Sequence, residues 1–191
     1  APVEQMPFEE VEYWDELCKI MEWSKTHVHS TFHICWGAQA AMYHHFGIPK
    51  YELPEKCFGI YSHQTLVEHP LLEGMYPTFM MPNSRHTEVR REDFPDACQI
   101  IADSTETGVG IMLSNEGREI YVVGHLEYEP NTLHNEYLRD VEKGLDIKAP
   151  QHYYLRNNPN EGVDYTWEQS CSQFFGNWLR LCRERSAKSK C

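Results

Sequence analysis

One segment constrains this chain more than any other: Ser30-Thr31-Phe32-His33-Ile34-Cys35-Trp36-Gly37-Ala38-Gln39-Ala40-Ala41-Met42-Tyr43. Residues 30–34 read as a short buried strand. From Trp36 the pattern turns helical and runs to Gly47-Ile48-Pro49, a good helix stop. A cysteine is left at the corner, with glycine two positions on, which is the form of a nucleophile elbow. Such a turn lifts the sulfur off a sheet edge. The Trp36 amide, at the new helix's N-terminus, can then donate to an oxyanion, and the helix dipole favours a thiolate. A core thiol beside an accidental glycine would leave the same letters, so this segment alone leaves both readings open.

A second signal is Gly124-His125-Leu126-Glu127, which closes the apolar run 120–123. Residues i and i+2 of an extended chain project to the same side. His125 and Glu127 can therefore share a face, the acid fixing the tautomer of the imidazole that takes a thiol proton. A surface histidine beside a surface acid is the plain alternative. Together, Cys35, His125 and Glu127 suit a cysteine hydrolase or transferase and leave the substrate open. The other histidines, among them His27, His29, His44, His45, His63 and His69, show no carboxylate or cysteine at metal-ligand spacing and stay unassigned, so no metal site is expected.

The rest of the pattern predicts a helix over 9–27 with a stripe of Val11, Trp14, Leu17, Cys18, Met21 and Trp23. It predicts strands and turns over 57–79, a loop over 81–86, and strands over 97–102, 109–113 and 119–123. A hairpin turn is expected at 115–117, and helices over 130–143 and 167–183 with a fraying tail from 183 to 191. This mix suits one α/β domain over 1–191 with helices on both sheet faces and ligands at the carboxyl ends of its strands.

The formal net charge of −12 argues against nucleic-acid binding, which needs a basic stripe. An anionic co-substrate would need local positive charge, for which Lys50, Lys56, Arg85, Arg90 and Arg91 are candidates. The seven cysteines are odd in number and form no Cys-x-x-Cys pair, against a disulfide framework or structural zinc. No apolar run is long enough for a membrane span, and no secretory leader is legible at the start, which point to a cytoplasmic protein. The opening Ala1-Pro2 suggests a missing upstream segment.

Several stretches carry a family resemblance. Residues 30–41, Glu55-Lys56-x-x-Gly59, Pro82-Asn83-Ser84-Arg85-His86-Thr87-Glu88-Val89-Arg90, Gly124-His125-x-Glu127-Tyr128 and Glu136-Tyr137-x-Arg139-Asp140-x-x-x-Gly144-Leu145 resemble the homoserine O-acyltransferases in order and spacing. The resemblance implies a flavodoxin-like sheet of the class I glutamine amidotransferase type. This chain would be the C-terminal part of a longer family chain, and a homodimer. It implies no bound cofactor, with acetyl-CoA or succinyl-CoA as co-substrate and L-homoserine as acceptor, in the methionine pathway.

By the same resemblance Cys35 carries the acyl group, His125 and Glu127 complete the triad, and Lys56 lies near the oxyanion or acyl group. Arg139 pairs with the acceptor carboxylate, and Ser84 and Glu136 fall at acceptor-site positions. An intrahelical ion pair of Arg139 with Glu136 or Glu142 is the plain alternative. Glu4 stands where the family's acetyl-CoA users carry glutamate and its succinyl-CoA users glycine. A glutamate there fills space and repels a succinyl carboxylate. The chain departs from the family at Trp167-Glu168-Gln169-Ser170-Cys171-Ser172-Gln173, where Trp-Arg-x-x-Gly-Asn is usual. That departure opens L-serine as an acceptor, since one methylene is worth only about 1–3 kcal/mol of discrimination. A glutaminase sharing triad and fold is the rival from another class.

Overall fold

The computed structural model describes residues 3–188. Ten regular elements follow in chain order: α1 (Trp14–His27), β1 (Thr31–Ile34), α2 (Trp36–Phe46), β2 (Tyr51–Thr65), β3 (Thr78–Glu88), β4 (Gln99–Ser104), β5 (Gly108–Ser114), β6 (Glu119–Val122), α3 (Thr132–Glu142) and α4 (Glu168–Lys188). The strands make one mixed sheet in the order β1-β6-β5-β4-β2-β3. β1 and β6 run parallel, and the other neighbouring pairs are antiparallel.

All four residues of β6 are buried, because both faces of the sheet are covered. Ile120 and Val122 pack with Leu113 and Ile111 under Phe174 of α4. Tyr121 and Val123 point the other way, onto Met21 of α1 and Ala38, Ala41 and Met42 of α2. Burying a side chain of this size stabilises by roughly 1.5–3 kcal/mol, so a charge at Val122 would break the fold. A third cluster, Phe58, Ile60, Leu133, Tyr153 and Trp167, fastens β2 to α3 and to the segment before α4. The expected helices on both faces are therefore present.

Four local expectations change. The first helix begins at Trp14, because Phe8 and Val11 form a separate buried hook. Phe8 stacks on Trp14 and Tyr43, and the exposed Trp23 stacks on His27 instead of joining the core. Residues 81–86 form part of β3, not a loop. Pro82 is accommodated because β3 lies at the sheet edge, where a missing N–H is tolerated. The polar letters Asn83, Arg85 and Thr87 are buried and bonded: Arg85 donates to Asn83, Thr87 O and Thr107 O. Finally, α4 is ordered helix through Lys188 where a fraying tail was expected from 183; residues 189–191 of that expectation, and Ala1 and Pro2, lie outside the described residues.

Candidate active site

The parallel pair β1/β6 sets the site. The Cys35 N–H donates to Val122 O at 2.8 Å, holding the turn after β1 beside the end of β6. Cys35 adopts φ +51° and ψ −119°, a strained conformation for a residue with a side chain and the signature of a sharp strand-to-helix elbow. The first helical bond of α2 runs from Gln39 N–H to Cys35 O. The amides of Trp36 and Gly37 thus precede the helix's own ladder and face the site at its positive end.

Three residues after β6 comes His125. Its N–H donates to Pro82 O at 2.8 Å, and a Cβ at Gly124 would meet that same oxygen at 2.7 Å. Only glycine lets the chain approach β3 so closely, so Gly124 aims His125. Its Nδ1 pairs with Glu127 Oε1 at 2.7 Å, as the i, i+2 spacing predicts. Burial alone would pull the imidazole pKa down. Hydrogen bonds to Cys35 and Glu127, with their charges, reverse this and raise it to about 9. Cys35, His125 and Glu127 therefore form one connected chain, with Cys35 only 7% exposed.

Cys35 and His125 line a cleft of about 560 Å³ that also holds Glu4, Trp36, Lys56, Ser84, Glu136 and Arg139; of the site residues expected from the sequence, Glu127 alone stands behind the lining, bonded to His125. The wall opposite the elbow is a polar network. Ser84 Oγ donates to Glu136 Oε2 at 2.5 Å, and Tyr128 OH donates to Glu136 Oε1 at 2.8 Å. Lys56 Nζ lies 3.2 Å from Asp140 Oδ2 and 3.8 Å from Glu136 Oε2, over the ring of Phe58. Burial opposes ionisation of Asp140, but hydrogen bonds from Arg139 and Lys56 outweigh it and hold the carboxyl below the usual range. Arg139 pairs with Asp140 at 2.7 Å, not with Glu136 or Glu142, and its side chain remains half-exposed on the cleft wall.

Glu4 is no frayed terminal residue. Its Oε1 accepts from the His86 and Thr87 amides at 2.6 and 2.9 Å and from Thr87 Oγ1 at 3.0 Å, and the residue is 4% exposed. Of the five candidate cations, Lys56 alone lines this cleft. Arg85 is core, Arg90 covers the Tyr51 ring, Arg91 pairs with Asp103, and Lys50 donates to Glu4 O and Met6 O.

Two residues stood in the quoted motifs without a role. Tyr128 stacks on His125 at 4.0 Å between ring centroids, and Trp167 fixes it by donating to its carbonyl at 2.8 Å. Asp140 is the anchor for both cations of the opposite wall. The Glu136-x-x-x-Asp140 spacing on one helix was the signal available for it.

A family model described as homoserine O-succinyltransferase covers residues 1–188. The chain is 52% identical over 185 residues to a homoserine O-acetyltransferase of Clostridium beijerinckii, covering 95% of this chain and 61% of that protein. It is 52% identical over 183 residues to one of Geobacillus kaustophilus (94% and 60%) and 50% identical over 182 to one of Bacteroides fragilis (94% and 60%). It thus spans about 60% of the length of these relatives. A glutamine amidotransferase of Thermotoga maritima superposes with a TM-score of 0.67 at 15% identity, covering 94% of this chain and 72% of that one. One from Methylobacillus flagellatus gives 0.65 at 10% identity, with 90% and 71% covered. At such identities the likeness establishes the fold, the glutamine amidotransferase-like α/β sheet expected from the sequence. Matched by the family model almost end to end, and half-identical to curated relatives, the chain belongs to the homoserine O-succinyltransferase family.

Proposed function

We propose that this chain carries the acyl-transfer site of a homoserine O-acetyltransferase. The observation that carries this reading is the connected Cys35–His125–Glu127 chain opening on a cleft whose far wall holds Lys56 and Arg139. Cys35 Sγ attacks the thioester carbonyl of acetyl-CoA, the Trp36 amide and Lys56 stabilising the oxyanion. The carbon–sulfur bond to CoA breaks, and CoA leaves with the proton from His125. The acceptor hydroxyl then attacks the acetyl-cysteine, His125 takes its proton, and Cys35 returns as the thiol.

Arg139 meets the carboxylate of L-homoserine, a planar anion suited to a guanidinium, while Glu136, held by Ser84 and Tyr128, meets its ammonium. An adjoining cleft of about 500 Å³ shares Lys56, His86, Asp140 and Leu145 with the first and offers room for the arm of CoA. The chain works as one α/β unit of a homodimeric cytoplasmic enzyme of methionine biosynthesis, without a bound cofactor. Among the described residues no helix is long and apolar enough to cross a membrane.

Donor choice has a second reading, because the family description names succinyl transfer. Glu4 in the cleft wall and relatives named as acetyltransferases favour acetyl. L-serine remains the shorter acceptor to compare.

Mass spectrometry of the full-length protein after acetyl-CoA alone tests the proposal. The expected result is a single acetyl group on the peptide containing Cys35, removed by homoserine and absent in Cys35→Ala. Acylation that needs no Cys35, or release of CoA that homoserine does not accelerate, would overturn it. Faster turnover with succinyl-CoA or serine would reassign donor or acceptor. Hydrolysis of glutamine with no acyl-CoA dependence would return the site to amidotransferase chemistry.

A further inference from the structure

The C-terminal end of α2 carries a second cluster, far from the elbow. His45 lies nine positions after Trp36, so about 14 Å of helix lies between the two ends. Sequence spacing gave His44 and His45 no carboxylate partner, but folding supplies one: Glu22 of α1. Its Oε1 lies 2.9 Å from His44 Nε2 and 3.6 Å from His45 Nδ1, and one ligand atom from each of the three residues falls within 4.8 Å of the others.

An ordinary ion pair explains only part of this. The His44–Glu22 contact would stand by itself. His45 is different: its side chain is 3% exposed, its Nδ1 is buried with no hydrogen-bond partner, and that atom points toward the same carboxylate oxygen. A buried polar atom left without a partner is costly and rare. Its ring is clamped between Phe46 and His33, and His44 is held edge-on by Trp14, so neither imidazole has to be ordered for a ligand to bind.

We infer that Glu22, His44 and His45 form a binding site for a divalent transition cation of the zinc type, clipping α1 to the end of α2. Two nitrogens and one carboxylate oxygen suit such an ion, with the exposed side at Glu22 leaving a fourth position to water. Ligands 2.0 Å from a tetrahedral ion stand about 3.3 Å apart, and the 2.9 and 3.6 Å separations from Glu22 Oε1 bracket that value. Buried Glu119 adds negative charge nearby. The competing cation is Lys25, whose Nζ lies 2.8 Å from Glu22 Oε1 and is displaced when the metal binds.

The test is titration of the chelator-treated full-length protein with Co(II) alone, followed by Zn(II). Expected are uptake of a single ion with visible d–d absorption and no thiolate charge-transfer band, displacement by Zn(II), and a Zn(II)-dependent rise in melting temperature. Glu22→Gln and His45→Asn should each weaken binding by about tenfold or more, and Lys25→Ala should tighten it severalfold. No uptake by the wild type, affinity unchanged across these variants, or a thiolate band that survives Glu22→Gln would each overturn the inference. If His45→Asn fails to fold, Glu22→Gln decides, since Glu22 is exposed on the surface of α1.

Discussion

The elbow wall of the cleft is built from two short segments, 35–37 and 124–127, set side by side by the β1/β6 pairing, whereas the wall facing it gathers Lys56, Ser84, Glu136 and Asp140 from β2, β3 and α3. On the first wall the backbone does the positioning. The strained turn at Cys35 and the i, i+2 pairing of His125 with Glu127 are local, and the close approach of the Gly124 backbone to Pro82 O aims the second segment. On the second wall side chains position one another through buried ion pairs and hydrogen bonds. The first wall should therefore lose chemistry when a residue is removed, while keeping its shape. The second should lose shape as well as affinity.

Removing the base breaks the comparison most severely. His125→Ala should lower turnover by about 10³-fold or more in both half-reactions, with little change in KM for either substrate. Steady-state kinetics of the full-length protein, with melting curves, check it. A loss confined to KM would mean that His125 belongs functionally with the opposite wall.

Next is the orienting acid. Glu127→Gln should lower turnover by on the order of 10²-fold, because the amide neither fixes the imidazole tautomer nor stabilises its charged form. The same change should bring the His125 pKa down from about 9, read by NMR of its ring protons. The folded pKa is raised above the ordinary 6.5, so the pairing contributes full stability below about pH 6.5 and loses it as pH rises through about 9. The stability gap between wild type and Glu127→Gln should close over that window. A gap that widens with pH would mean the shift has another cause.

The same contrast explains what was legible in the sequence. The triad could be read because Cys35 and His125 each sit at a strand end near a glycine, and because a single residue, Leu126, separates base from acid. The opposite wall could be named only through family resemblance, since nothing local ties Lys56 to Asp140, 84 residues later. The β3 error has the same root. Asn83, Arg85 and Thr87 look like a polar loop until their partners, Thr107 O among them, arrive from elsewhere in the chain. The role of Glu22 at His44 and His45 was hidden likewise, because its carboxylate comes from another helix.

Asp140→Ala probes the second wall directly. It leaves Lys56 and Arg139 without their anchor and should destabilise the fold by about 1–2 kcal/mol, between the scale of an exposed and of a buried ion pair. Because Arg139 is the proposed partner of the acceptor carboxylate, KM for homoserine should rise roughly tenfold while acetylation of Cys35 by acetyl-CoA continues. Chemical denaturation and single-turnover acylation separate the two effects. An equal loss in acylation would mean that Asp140 serves the donor through Lys56 and that the wall is not an acceptor site.

Glu4 belongs to neither wall by origin, yet it borders the cavity they share, and substituting it should have the smallest effect. Its carboxylate is fixed by the His86 and Thr87 amides and the Thr87 hydroxyl, so it offers bulk and negative charge at a set place. Glu4→Gly removes both. The bond donors left behind stand at the cleft edge, where water or a longer acyl chain ending in a carboxylate can replace Oε1. Turnover with acetyl-CoA should fall only severalfold, while the ratio of succinyl-CoA to acetyl-CoA turnover should rise by about tenfold, the scale of one relieved charge clash. Comparing the two donors in wild type and variant measures that ratio. If it does not move, Glu4 is only a strut holding the N-terminal segment on β3, and donor choice lies with the Lys56 wall.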